Sequence, residues 1–213
     1  MLLTTKEFGM KKNLFSVLFT LICVLNAETL ELAPVQDAYI CCCKPDSTNP
    51  NGGINYLYHG QYGTCFDRTL IQWDLSDVPQ GATILSATME LYCEAFYGTQ
   101  SGNPVYYMIN ETWYDHSVTY NTQPEYDLNP FQAATWPKAG NWHQVDVTEF
   151  VESWVNGSHD NYGIYCFCQG TTGTCVPGFW SVDYHEVNLR PKLVIEFYPE
   201  ALSQCTWGCI KSI

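Results

Sequence analysis

The chain has 213 residues, with 9 Lys and Arg against 22 Asp and Glu and a formal net charge of −13. Charged residues are 15 % and aromatic residues another 15 %, which excludes a disordered chain (few aromatics) and a coiled coil (many Glu and Lys). So acidic a balance argues against nucleic acid and anionic membranes as partners, because both recruit clustered cations.

The N-terminus reads as an export signal. Met10-Lys11-Lys12-Asn13 is cationic, Leu14 to Leu25 is apolar, and Asn26-Ala27 ends on a small residue. This is the order of a secretory signal peptide, assigned here to residues 1–27. The apolar run is shorter than the roughly 20 residues that span a bilayer, and no second long apolar run follows. The sequence therefore predicts an extracellular or cell-surface protein without a membrane span. Removing residues 1–27 takes away three Lys and one Glu and leaves 6 positive and 21 negative side chains, a net of −15.

Ten cysteines remain: Cys41, Cys42, Cys43, Cys65, Cys93, Cys166, Cys168, Cys175, Cys205 and Cys209. No pair has the Cys-x-x-Cys spacing of a zinc knuckle or redox dithiol, so structural disulfides are favoured over metal. Cys168 and Cys175 flank a turn-forming stretch and are placed to staple a hairpin; Cys205 and Cys209 are placed to close a small loop in the tail. Most of the ten are expected to be paired. Read as a strand, Cys41-Cys42-Cys43 puts Cys41 and Cys43 on one face and Cys42 on the other.

From residue 28 onward the pattern is that of strands. Glu28 to Val35 alternates polar with apolar, as a half-buried strand does, able to pair in its own sheet or at a neighbour's edge. Short β-rich runs follow at Leu70–Leu75, Thr88–Cys93, Val105–Ile109, Gly163–Cys168 and Lys192–Tyr198, separated by Gly- and Pro-rich turns. Many short strands with such turns predict an all-β antiparallel sandwich. One helix is predicted at 147–157, with Thr148 as cap, an apolar stripe of Phe150, Val151, Trp154 and Val155, and Gly157 as stop.

Arg68 to Tyr92, with its core Leu70-Ile71-Gln72-Trp73-Asp74-Leu75-Ser76-Asp77-Val78-Pro79, resembles the signature stretch of the DNRLRE domain family. Further matching pieces are Asp37-Ala38-Tyr39-Ile40, Ser117 to Pro124, Val145-Asp146-Val147-Thr148 with Trp154, Asn161-Tyr162-Gly163-Ile164 and Arg190 to Ile195. The resemblance implies a jelly-roll β-sandwich over residues 37–198, with 28–36 as an N-terminal extension and 199–213 as a C-terminal tail. It includes carbohydrate-binding modules of polysaccharide-degrading enzymes. Its positions place Trp73, Trp113 and Trp154 in the core. The family is usually cysteine-poor, so the cysteines suggest added stapling in this chain.

Catalytic chemistry is not apparent. His-Glu-x-x-His, Gly-x-Ser-x-Gly and phosphate-loop motifs are all missing. Gly63-Thr64-Cys65-Phe66 resembles a cysteine-protease nucleophile only weakly, and Asp115-His116-Ser117 is contiguous whereas triads assemble from separate elements. A non-enzymatic role is expected. The aromatic surplus is the better lead, because Trp and Tyr faces stack on the C–H faces of sugar rings. The candidate ligand-binding residues are Tyr56, Tyr58, Tyr62, Trp136, Trp142, Trp180 and Tyr184. Asp37, opening the first family strand, is the candidate ligand for a structural calcium, the one cofactor the sequence raises. Two function classes follow. One is a secreted carbohydrate-binding or cell-surface module whose partner is a polysaccharide, neutral rather than anionic given the charge. The other is a self-assembling subunit of an extracellular filament or surface layer.

Overall fold

A computed structural model describes residues 26–48, 55–127, 131–132, 135–170 and 173–199. Residues 1–25 of the signal-peptide segment and residues 200–213 of the tail, with Cys205, Trp207 and Cys209, lie outside them. In chain order the elements are β1 (Glu28–Leu32), β2 (Pro34–Cys41), β3 (Tyr56–Tyr58), β4 (Gly60–Tyr62), β5 (Cys65–Trp73), β6 (Thr83–Gly98), β7 (Asn103–Met108), β8 (Phe131–Gln132), β9 (Asn141–Asp146), α1 (Thr148–Val155), β10 (Ile164–Gln169), β11 (Cys175–Trp180) and β12 (Lys192–Tyr198). Every strand pairing is antiparallel. The expected all-β sandwich with one short helix is what forms.

The 16-residue strand β6 organises one layer. Thr88 to Glu90 have partners in both β12 and β9, while Cys93 has partners in both β9 and β11. Strands β12 and β11 therefore lie end to end along one edge of β6, and β9 runs along the other. β1 pairs with β12 from Glu28↔Phe197 to Leu32↔Leu193, and Leu30 and Leu32 pack against the core. Residues Glu28–Leu32 thus form an edge strand of the same sheet.

Side chains alternate across each strand, and here both faces of β5 are used. Ile71 and Trp73 enter the main core with Met89, Leu91, Phe179 and Ile195. Leu70 points into a second cluster with Ile40, Tyr107, Trp113 and Tyr165. Trp73, Trp113 and Trp154 are buried, as expected. Gly163 takes a φ of +94° where a Cβ would lie 2.3 Å from the Ile71 carbonyl oxygen, so only glycine lets the chain enter β10 this close to β5.

Helix α1 buries Phe150, Val151 and Trp154 and ends at Gly157, φ +75°. Its start differs from expectation. Thr148 is the first helical residue and not the cap, and its hydroxyl donates to Asp146 Oδ1 at 2.6 Å while accepting the Ala87 amide at 2.9 Å. Asp146 Oδ1 also takes the Thr148 amide at 3.0 Å, while the Val147 carbonyl takes the Phe150 and Val151 amides, so a carboxylate one residue ahead of the cap satisfies the first helical amide.

The cysteines differ most from expectation. One disulfide forms among the described residues, Cys43–Cys65, across 22 residues. Cys41, Cys42, Cys93, Cys166, Cys168 and Cys175 are free, and the Cys168–Cys175 staple is not formed. Cys93, Cys166, Cys168 and Cys175 are fully buried and pack as small apolar side chains. β2 also ends at Cys41, so Cys42 and Cys43 sit in a turn and the expected alternation stops there. Burial pushes the Cys41 thiol up to about 11 and the Cys93 thiol up to about 12. Cys42, half-buried, is the described thiol left open to solvent. A thiol-reactive reagent at pH 8 should therefore find one fast thiol among the described cysteines, abolished by Cys42→Ser, with the other five reacting only after unfolding. Fast reaction of several thiols in the folded protein contradicts this burial pattern.

Candidate functional site

The buried residues of one layer dictate what its other face shows. Leu57, Phe179, Leu91, Cys93 and His143 are between 0 and 3 % exposed. Their neighbours Tyr56 and Tyr58, Trp180, Tyr92 and Trp142 must point the opposite way. The register aligns them: Tyr56 is opposite Trp180, and Tyr92 is opposite Trp142. Because Phe179 is opposite Cys93, Trp180 falls beside Tyr92. A row Tyr56–Trp180–Tyr92–Trp142 thus crosses four strands, about 14 Å at the usual strand spacing. Rings touch at the first and last steps of the row, with Tyr56 and Trp180 centroids 4.9 Å apart and Tyr92 and Trp142 edge-on at 5.5 Å. All four are half-buried, which leaves part of each ring open to solvent.

The two ends of the row are different. At the Trp142 end, Lys192 lies 5.2 Å above the indole and bonds Glu31 and Glu90, each at 3.2 Å. Gln144 donates to the same Glu90 carboxylate at 2.6 Å. At the Tyr56 end, Tyr58 stacks 5.9 Å away and leads into a cleft of about 360 Å³. Tyr58, Tyr62, Tyr97 and Val176 form its walls, and Asp67, Cys41 and the Cys43–Cys65 disulfide line it too. Tyr62 and Tyr97 are 63 % and 45 % exposed, the most open aromatic rings of this face. Tyr58 reaches this position because Gly178 has no side chain; a Cβ there would be 2.8 Å from the tyrosine ring.

Five of the seven aromatic candidates, Tyr56, Tyr58, Tyr62, Trp142 and Trp180, therefore belong to this face, whereas Tyr184 is buried beneath it at 9 % exposure. Trp136 does not touch it and packs edge-on against Phe96. Trp180 is less free than a loop residue, since Tyr184 stacks on it at 3.7 Å with nearly parallel rings. Tyr92 and Tyr97 escape the sequence reading because they lie within and just beyond a run read as core strand. The signal for Tyr92 is the alternation of Glu90, Tyr92 and Glu94 with Met89, Leu91 and Cys93, whereas Tyr97 has the opposite parity and faces outward because the register slips between Gly178 and Phe179.

Asp37, the candidate calcium ligand, makes a structural hydrogen bond. Its Oδ2 accepts the Val182 amide at 2.7 Å and so holds the turn that carries Tyr184. Among the described residues no group of three His, Cys, Asp or Glu is arranged to hold a metal. Of the two catalytic look-alikes, Cys65 is tied up in the disulfide, and Asp115 and His116 are a solvent-exposed pair.

The profile of carbohydrate-binding module family 96 matches residues 28–197. The chain belongs to that family. The family-96 match supplies the carbohydrate-binding part of the resemblance read from the sequence, and does so under this name rather than DNRLRE. It begins at β1, in keeping with the pairing of that strand. No curated protein matches the module. No described helix of the module is long and apolar enough to cross a membrane.

Behind the aromatic face the core of the module carries a neutral imidazole pair. His143 and Tyr106 share a 2.7 Å hydrogen bond, and His59 stacks on Phe179 with both ring nitrogens buried and unpartnered. Burial lowers His59 to about 3 and His143 to about 4, whereas burial raises Asp37 to about 7 against the opposing Val182 hydrogen bond. The signs oppose. Between pH 4 and 6.5 the unfolded chain protonates both histidines and the folded chain does not, so acid destabilises. Over the same interval the folded chain protonates Asp37 and the unfolded chain does not, so acid stabilises. These three groups together make stability rise by about 1.4 kcal/mol per pH unit. Asp37→Asn removes the opposing proton and should roughly double that slope, measured by urea unfolding at pH 4.5, 5.5 and 6.5. An unchanged slope would mean that Asp37 titrates alike in both states.

Proposed function

We propose that this is an exported, non-catalytic module that holds a polysaccharide on the outer face of the β3–β11–β6–β9 layer. One observation carries the reading: the register places four aromatic rings in a row that runs into a tyrosine-walled cleft. Membership of the carbohydrate-binding family supports it. A row of half-exposed rings offers stacking surfaces to successive sugar units, and the cleft is within the size range of small-ligand sites. The acidic balance favours a glycan without carboxylates or sulfates. β1 pairs with β12 inside its own chain, and nothing among the described residues supports the filament alternative.

Affinity electrophoresis through gels containing soluble polysaccharides tests the reading. Retardation by at least one glycan is expected, and Trp142→Ala should weaken it about tenfold, the worth of one good stacking contact. The melting temperature should fall only slightly, because Trp142 is half-exposed. Trp154→Ala should do the reverse, costing about 3–5 kcal/mol of stability and leaving affinity intact. Retardation that survives loss of Trp142, Tyr62 and Tyr97 together would move the binding surface elsewhere.

A further inference from the structure

The cleft differs in kind from the aromatic row that leads to it. The row lies open on a sheet face, so a sugar unit stacked there keeps its edges in water. The cleft has walls. Tyr58, Tyr62, Tyr97 and Val176 line it, and the Cys43–Cys65 disulfide adds two sulfurs. Val176 is 3 % exposed and stands opposite Tyr97 in the register. The polar groups of the lining are largely engaged with one another. Asp67 is 7 % exposed and accepts the Cys41 thiol. The phenol groups of Tyr58 and Tyr97 hydrogen-bond to each other. Lys44 also lines the cleft but is exposed, so it brings no buried charge. A sugar hydroxyl carried in among these surfaces leaves water for few free partners, and a hydrogen bond left unmade costs more than a made one returns. A methyl group in the same place meets carbon and sulfur, which favours its removal from water.

Resting on the glycan-binding reading above, we propose that the cleft selects a sugar unit bearing a methyl group, on carbon as in a 6-deoxyhexose or on oxygen as in a methyl ether, with the methyl seated among Tyr58, Tyr97 and Val176. Continuity links this site to the row. Tyr58 stacks 5.9 Å from Tyr56, the end ring, so a chain held on the row delivers one unit to the cleft. Gly178 shapes the seat without a side chain of its own. It stands opposite Tyr58, and a Cβ there would lie 2.8 Å from the tyrosine ring. An N-acetyl group fits less well than a bare methyl, because its amide adds a donor and an acceptor that also need partners.

The test uses the full chain and five hexasaccharide probes, measured by calorimetry. D-rhamnose and D-mannose oligomers of the same linkage differ only at carbon 6. Methylated and unsubstituted cello-oligomers differ only in methyl ethers, and an N-acetylglucosamine oligomer is the fifth probe. In at least one pair the methyl-bearing member should bind at least about tenfold more tightly, and which pair does so tells a carbon-borne methyl from an oxygen-borne one. Val176→Thr puts a hydroxyl where the lining has a methyl and should remove most of that preference. Gly178→Ala displaces the Tyr58 ring and should do the same. Trp142→Ala should weaken both members of a pair alike. Tyr62→Ala, at a ring 63 % exposed, should reduce the preference while the melting temperature holds, and it keeps the test alive if the buried variants do not fold. Equal or tighter binding of the unmethylated or N-acetylated probes, still sensitive to Trp142→Ala, overturns the methyl assignment and leaves the glycan reading standing. So does retardation by a polysaccharide when neither methylated probe binds. A preference that survives all three cleft variants overturns it too, because selection then lies outside the cleft. If no probe binds and no polysaccharide retards the protein, both readings fall.

Discussion

Strand β6 is the constraint on which the rest of this molecule depends. It is 16 residues long and changes neighbours along its length, from β12 to β11 on one edge, with β9 along the other. Its backbone thus fixes the register of three strands, and register fixes faces. Once Met89, Leu91 and Cys93 are committed to the core, Tyr92 can only look outward, and Trp142 must stand opposite it. The aromatic row follows from core packing. No loop has to be trained into place for the row, which is why it sits on rigid strands.

The same commitment has a cost in the core. His59 and His143 are placed inward by the alternation that sends Tyr58 and Trp142 out, and burial keeps both imidazoles neutral. Tyr106 satisfies one nitrogen of His143, whereas His59 has only ring contacts with Phe179 and Tyr106. A layer that is aromatic outside and partly polar inside inverts the usual arrangement. Its stability rests on the apolar cluster of Trp73, Met89, Leu91, Phe179 and Ile195 around the polar groups.

Much of this was legible in the sequence. The strand runs at 70–75, 88–93, 105–109, 163–168 and 192–198 all fall within or overlap observed strands, because β-branched and aromatic residues between Gly and Pro turns admit few other readings. The aromatic candidates were legible as residues and not as a surface: Tyr56, Trp180 and Trp142 are far apart in the chain, and only strand order makes them neighbours. Trp136 has the same composition cue and packs on Phe96 instead. Cysteine pairing was the least legible feature. Cys43 meets Cys65 because β2 ends where β5 begins, a fact of topology, while Cys93 and Cys166 are buried for their size and apolarity. The helix start at Thr148 went astray by one residue: Val147 caps the helix, and its carbonyl takes the Phe150 and Val151 amides.

The single described cross-link does not pass through the core. It joins the turn after β2 to the start of β5, at the cleft that Tyr62 and Tyr97 flank. Closing a 22-residue loop is worth about 3 kcal/mol in the unfolded chain, a useful sum but not the foundation of a sandwich with this much buried apolar surface. What the bond governs directly is local: how far two edges of the cleft can separate. Folding and finishing are thereby divided between two kinds of force. Water-driven packing assembles the sandwich whatever the redox state of its surroundings, and oxidation then sets the width of the cleft, so that a reduced molecule would be a folded one with a loose mouth.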